Sequence, residues 1–189
     1  AMREMPIFSL RSEGIGQVAA QKIAEHPTSG LEPAGCATKT REGSAVTIAL
    51  SGCSGPFGKV TMDGALRLTF RRTGADVLHV DVTGEDLVAN GRPLRYLARA
   101  DVRYEGAQRK ITWHGESSGT TKRGRAFETS SDFAIDADVD AKCVGVDGVS
   151  KGTVAGFDLD VTIEGLRACK DECPAAGLAR AIVRTPRGR

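Results

Sequence analysis

Four stretches of this chain alternate apolar and polar residues with a period of two, and no other feature constrains the fold as strongly. In Gly58–Arg71 the apolar residues are Val60, Met62, Leu66, Leu68 and Phe70, with Lys59, Thr61, Asp63, Arg67, Thr69 and Arg71 opposite. Leu94–Tyr104 sets Leu94, Tyr96, Ala98, Ala100, Val102 and Tyr104 against Arg95, Arg99, Asp101 and Arg103. Arg125–Val139 sets Phe127, Phe133, Ile135, Ala137 and Val139 against Glu128, Asp132, Asp136 and Asp138. Phe157, Leu159, Val161 and Ile163 alternate with Asp158, Asp160, Thr162 and Glu164. One dry and one wet face per strand is the pattern of antiparallel sheet.

Shorter strand candidates lie between them: Cys36–Lys39, Ala45–Leu50, Val77–Thr83, Lys110–His114, Cys143–Val146 and Leu178–Val183. Turn signals fall at Glu42-Gly43, Thr73-Gly74, Asn90-Gly91, Glu105-Gly106, Asp147-Gly148 and Ala155-Gly156. The fold class predicted is all-β, an antiparallel meander of about ten strands curled into a half-open barrel or sandwich. Its 189 residues suit a single domain.

The N-terminal end departs from period two. Ile15, Val18, Ala19, Ile23 and Ala24 recur at helical spacing, Ser12 offers an N-cap, and His26, Pro27 and Gly30 end the pattern. We expect an arm over 1–11, a helix over 12–26, a linker over 27–35 and sheet over 36–185. Ala1-Met2 reads as a cloning remnant, so a native leader is expected upstream. No apolar run reaches the ~20 residues of a membrane helix.

Five cysteines, Cys36, Cys53, Cys143, Cys169 and Cys173, lie in or beside strands, without CxxC pairs or histidines at zinc-ligand spacing. They point to disulfides and an oxidising compartment. Cys36 and Cys53 flank a hairpin and are expected to pair. Cys169 either pairs with Cys143 across the turn near Ala155-Gly156 or closes a small loop with Cys173; these exclude each other and both stay open.

Motifs of catalysis fail on context. Gly148-Val149-Ser150-Lys151-Gly152 matches G-x-S-x-G, but its flanks are strand-like, and no histidine follows His114. We read it as a bend in a hairpin. Gly52–Lys59 lacks the glycine spacing and the Ser/Thr of a phosphate loop. His26, His79 and His114 are scattered and read as solvated, and Asp136, Asp138, Asp140 and Asp147 do not follow a calcium-loop pattern. No cofactor or metal is expected, and a net charge of +2 argues against nucleic acid as partner. Charge is nevertheless uneven: residues 125–173 hold five Lys/Arg against eleven Asp/Glu, and 174–189 hold four Arg and no acid. Residues 115–125 read as a long hairpin loop with a basic tip.

The runs Leu50-Ser51-Gly52-Cys53-Ser54-Gly55-Pro56, Trp113-His114-Gly115, Lys142-Cys143-Val144 and Arg167–Pro174 together resemble a group of bacterial envelope lipoproteins of unknown function found in predatory and gliding bacteria. The resemblance spans most of 30–185. It implies a fold and a compartment, the cell envelope or secretion, and carries no catalytic residue. It also implies a lipidated cysteine upstream of Met2, so that any membrane contact runs through that anchor.

Two functions are expected from these readings. The first is a non-enzymatic envelope protein that binds an apolar or acyl ligand on its curled sheet, through Leu66, Leu68, Tyr96, Val102, Phe133 and Ile135. The alternative is an interaction or scaffold module whose charged strand faces and 115–125 loop dock an envelope protein, lipid or surface polymer.

Overall fold

The computed structural model describes residues 15–26, 31–55, 60–170 and 176–185. Among them, ten antiparallel strands pair strictly in sequence order, β1 to β10, in one sheet. They are β1 Ala37–Glu42, β2 Ala45–Ser54, β3 Thr61–Arg72, β4 Val77–Ala89, β5 Arg92–Glu105, β6 Gln108–Thr120, β7 Ala126–Asp138, β8 Cys143–Val154, β9 Phe157–Cys169 and β10 Ala176–Arg184. β1 and β10 do not pair, so the sheet stays open at two edges and does not close into a barrel. One helix, α1 (Ile15–Glu25), precedes it; Ser12 lies outside the described residues.

Alternation sets the two faces. The inner face carries Val46, Phe70, Leu78, Val80, Val102 and Ile111, all at most 5% exposed. α1 packs against β1, β2 and β3. It adds Ala19, Ala20 and Ile23 to the same core cluster, whereas Val18, expected on the packed side, is exposed. A flat sheet would leave β4–β6 bare, since the helix sits over β1–β3. Their burial therefore requires the sheet to curl round the helix, which removes the apolar stripe from water. Lys39 latches the helix in place: its Nζ donates to the carbonyls of Ile23 at 2.8 Å and His26 at 2.6 Å, closing the last turn of α1.

The bends come from two sets of bulges. In the first, β2 carries an extra residue between Leu50 and Cys53 against β3, and β4 carries one between Thr83 and Val88 against both β3 and β5. In the second, β9 carries an extra residue between Ile163 and Arg167 against both β8 and β10. A bulge adds a residue to one strand and increases its local twist. At the first, Gly64 has φ +102°, and a Cβ there would meet the Asp86 carbonyl at 2.4 Å, so only glycine fits.

Several sequence expectations change. Asp147-Gly148 runs on in β8 opposite a bulge of β9 and is not a turn, and Gly148–Gly152 is strand and not a hairpin bend. The β7–β8 connection is instead the four-residue turn 139–142. Residues 115–125 are not a long loop. β6 runs to Thr120 and β7 begins at Ala126, so only 121–125 connect them. Hydroxyls and glycines (Gly115, Ser117, Ser118, Gly119) hid that strand end from a reading based on apolar alternation. Part of the expected linker 27–35 is tied to the sheet, through an antiparallel bridge between Glu32 and Ser54.

Candidate functional site

Two disulfides staple diagonally opposite corners. Cys36–Cys53 closes the open end of the β1–β2 hairpin, and Cys143–Cys169 joins directly opposed residues of β8 and β9. This decides the pairing of Cys169. Cys173 lies outside the described residues. The two bridges fit an oxidising, extracytoplasmic compartment. Cys53, 1% exposed, lies at the centre of a second core cluster with Leu50 and Leu87, against which Leu31 and Met62 pack. Each corner also has a glycine whose N–H is taken by an aspartate on the next strand: Gly52 to Asp63 and Gly165 to Asp147, both at 2.6 Å.

The six residues expected to line a ligand surface divide. Val102 is wholly buried and is core, not lining. Leu66, Leu68, Tyr96 and Ile135 are half-buried and pack against that core, and Phe133 is half-buried on β7. The expected surface is thus largely filled by the protein's own side chains where α1 covers it. Among the described residues nothing roofs the inner face beyond β7. Leu159, Val161 and Ile163 of β9 are half-buried, Phe157 is 36% exposed, and Val183 of β10 is 62% exposed. These residues share the inner face by register: Val161 opposes Ser150 and Ala181, Ile163 opposes Gly148 and Ala179, and Leu159 opposes Val183. Hydroxyl pairs interrupt the apolar surface at β6–β8, Ser131 with Ser150 at 2.8 Å and Ser117 with Thr129 at 2.6 Å.

The outer face is charged and more ordered than the sequence suggested. His79 and His114 are not simply solvated. His79 Nδ1 contacts Asp101 at 2.7 Å and its Nε2 contacts Asp81 at 3.1 Å; Arg71 then donates to Asp81 at 2.6 Å. His114 repeats the arrangement two strands on, between Asp132 at 2.7 Å and Glu116 at 3.3 Å. The Asp101 hydrogen bond, against some opposing burial and with help from Asp81, holds His79 above its ordinary pKa. Asp132 and then Glu116 do the same for His114. Burial would raise the pKa of Asp81, but hydrogen bonds from Arg71 and His79 outweigh it and the net shift is downward. Ser150 faces the other way, on the inner face.

Below His114 the outer face holds a shallow cleft of about 430 Å³ between β5 and β8, lined by Arg95, Leu97, Glu116, Glu128, Ser130 and Lys151 among others. Its charges are of both signs and exposed, so an ionic ligand there competes with water and salt. At the far end of the inner face Arg109, 3% exposed, stacks its guanidinium 4.7 Å from the centroid of the Tyr104 ring and donates to the carbonyls of Gly106 and Gln108. Burial pushes the Tyr104 hydroxyl up to about 12, partly offset by Arg109, so it stays neutral.

No protein-family model, no curated protein and no solved structure matches the chain. The chemistry of its surfaces is therefore the guide to its role. Among the described residues no group of histidines, cysteines and carboxylates is arranged to hold a metal ion, and no helix is long and apolar enough to cross a membrane.

Proposed function

We propose that this is a non-enzymatic binding protein of the cell envelope that lays an apolar or acyl chain along the unroofed inner face of β7–β10. The observation that carries the reading is the partial cover. α1 roofs the inner face over β1–β3 and leaves Phe157, Leu159, Val161 and Ile163 in partial contact with water. Burying such apolar surface contributes ~25 cal/mol per Å², which the open, mixed-charge cleft of the outer face cannot match. Binding is favoured over catalysis because Ser150 and the two histidines lie on opposite faces of the sheet, so they cannot share one substrate. An envelope address, with or without a lipid anchor, follows from the oxidising compartment that the disulfides favour.

The test is titration with a fluorescent long-chain fatty acid. Saturable binding is expected, lost in V161E/I163E and kept in R95A, with circular dichroism showing that each variant is folded. Absence of saturable binding to the unaltered protein sinks the proposal.

A further inference from the structure

The two edges of the sheet are built differently. β1 is six residues long and carries no large apolar side chain; its Lys39 is engaged with α1, and Thr38, Lys39, Thr40, Arg41 and Glu42 make it polar. Short, charged strands are how proteins prevent an edge from pairing with another chain. β10 is less protected, with Arg180 and Arg184 its only charges. It is nine residues long, every residue is exposed, and it presents Leu178 (52% exposed), Ile182 (40%) and Val183 (62%). Among the described residues its backbone pairs on one side only, with β9.

We propose that β10 pairs antiparallel with β10 of a second copy about a two-fold axis at Ala181, making one continuous sheet. Sequence and register choose that axis. Arg180, Leu178, Ile182 and Arg184 lie on the outer face, because they oppose Thr162, Glu164, Asp160 and Asp158 of β9; Ala179, Ala181 and Val183 lie on the inner face. A shift that opposes inner to outer residues would break both faces. An axis at Arg180 sets that arginine against itself, and an axis at Ile182 sets Arg180 against Arg184; both put like charges face to face. An axis at Ala179 leaves Val183 and Arg184 beyond the end of the partner strand. With the axis at Ala181, Arg180 opposes Ile182 of the second copy and Leu178 opposes Arg184, so each guanidinium stem lies along an apolar side chain. On the inner face Val183 opposes the small Ala179, and Ala181 meets its own copy. Arg184 is already neutralised by its ion pair with Asp160, which lowers the repulsion between the two strands. The interface is isologous and self-limiting, whereas pairing β10 to β1 would be head-to-tail and open-ended.

The test uses the chain carrying Cys173→Ser, so that its one cysteine outside the two disulfides does not interfere. Sedimentation equilibrium from low micromolar to several hundred micromolar should give twice the 19.9 kDa chain mass. Ala181→Cys in that background should oxidise to a covalent dimer, since directly opposed strand residues lie within disulfide reach. Leu178→Cys, placed opposite Arg184, should not cross-link to itself. Ile182→Lys with Val183→Lys should weaken association at least tenfold and leave the melting temperature of the monomer nearly unchanged. A monomer throughout the concentration range overturns the proposal. So does a dimer that Ala181→Cys fails to trap, or a mass that keeps growing with concentration.

Discussion

The β1–β6 and β7–β10 halves of this protein use the same parts and reach different ends. Each half has a disulfide at its outer corner and a glycine N–H held by an aspartate across the strand gap. The two histidines engaged by carboxylates both stand in the first half, His79 on β4 and His114 on β6; the second half contributes only Asp132 of β7 to the His114 set. Among the described residues only the first half has a helix over it. There the apolar alternation becomes core, with Leu78 and Val102 excluded from water; in the second half the same alternation leaves half-exposed residues. Alternation thus specifies a strand and its two faces, while a second layer decides whether the dry face is core or surface.

The largest test of this contrast compares core truncations. Phe70→Ala, at a site 1% exposed, should cost ~3–5 kcal/mol in a urea unfolding titration, whereas Val183→Ala should stay within ~0.5 kcal/mol. Equal costs would show that the second half is covered in solution.

Next come the disulfides. Chain entropy alone gives about 3 kcal/mol for each, with a few tenths more for Cys143–Cys169, because its sequence separation of 26 exceeds the 17 of Cys36–Cys53. Packing argues the reverse: each bridge has one buried and one half-buried cysteine, but Cys53 sits in a core cluster with Leu50 and Leu87, whereas Cys143 belongs to neither core cluster. We expect C36A/C53A to lower the melting temperature more than C143A/C169A does. The opposite order would assign the stabilisation to the unfolded chain.

A smaller effect tests the roof itself. Lys39→Met removes the latch on the end of α1 and should cost ~1 kcal/mol. Hydrogen exchange should rise in α1 and in β1–β3 while β7–β9 stay unchanged. Uniform exchange across the sheet would break the division into two regions.

The smallest concerns pH. The folded-state pKa of His79 lies above its unfolded value near 6.5, so its stabilisation is complete below that pH and is lost as pH rises through the folded pKa. Asp81, whose pKa is depressed, contributes above about 3.8, and that contribution is lost as pH falls through its folded pKa. The melting temperature should therefore decline modestly from slightly acid to slightly alkaline pH, and His79→Gln should flatten the decline. His114, whose side chain is 25% exposed against 15% for His79, should show a shift more sensitive to salt. An unchanged pH profile in His79→Gln would remove His79 as its source.

The strands and their order were legible because antiparallel hairpins write their pattern locally. Asn90-Gly91, with φ +52° and +74°, marked its turn because both positions need that geometry. Asp147-Gly148 carries the same signal and misled, since here the glycine serves a close approach of β8 to Asp132 and Phe133 of β7 and not a turn. The histidine clusters were half legible: Asp81 and Glu116 follow His79 and His114 at the same-face spacing of two, but Asp101 and Asp132 are brought in by register alone. Which half of the inner face stays open could not be read, because the reach of α1 is set by the curl of the sheet.

The strict sequence order of the strands also bears on how the chain reaches this state. Each strand pairs only with the strands before and after it, so no contact requires the ends of the chain to find one another. A barrel of the same strands would have to close the first against the last, across a long and entropically costly loop. Here each hairpin can add to the one already formed, and the slow search that retards most all-β proteins reduces to a succession of short ones.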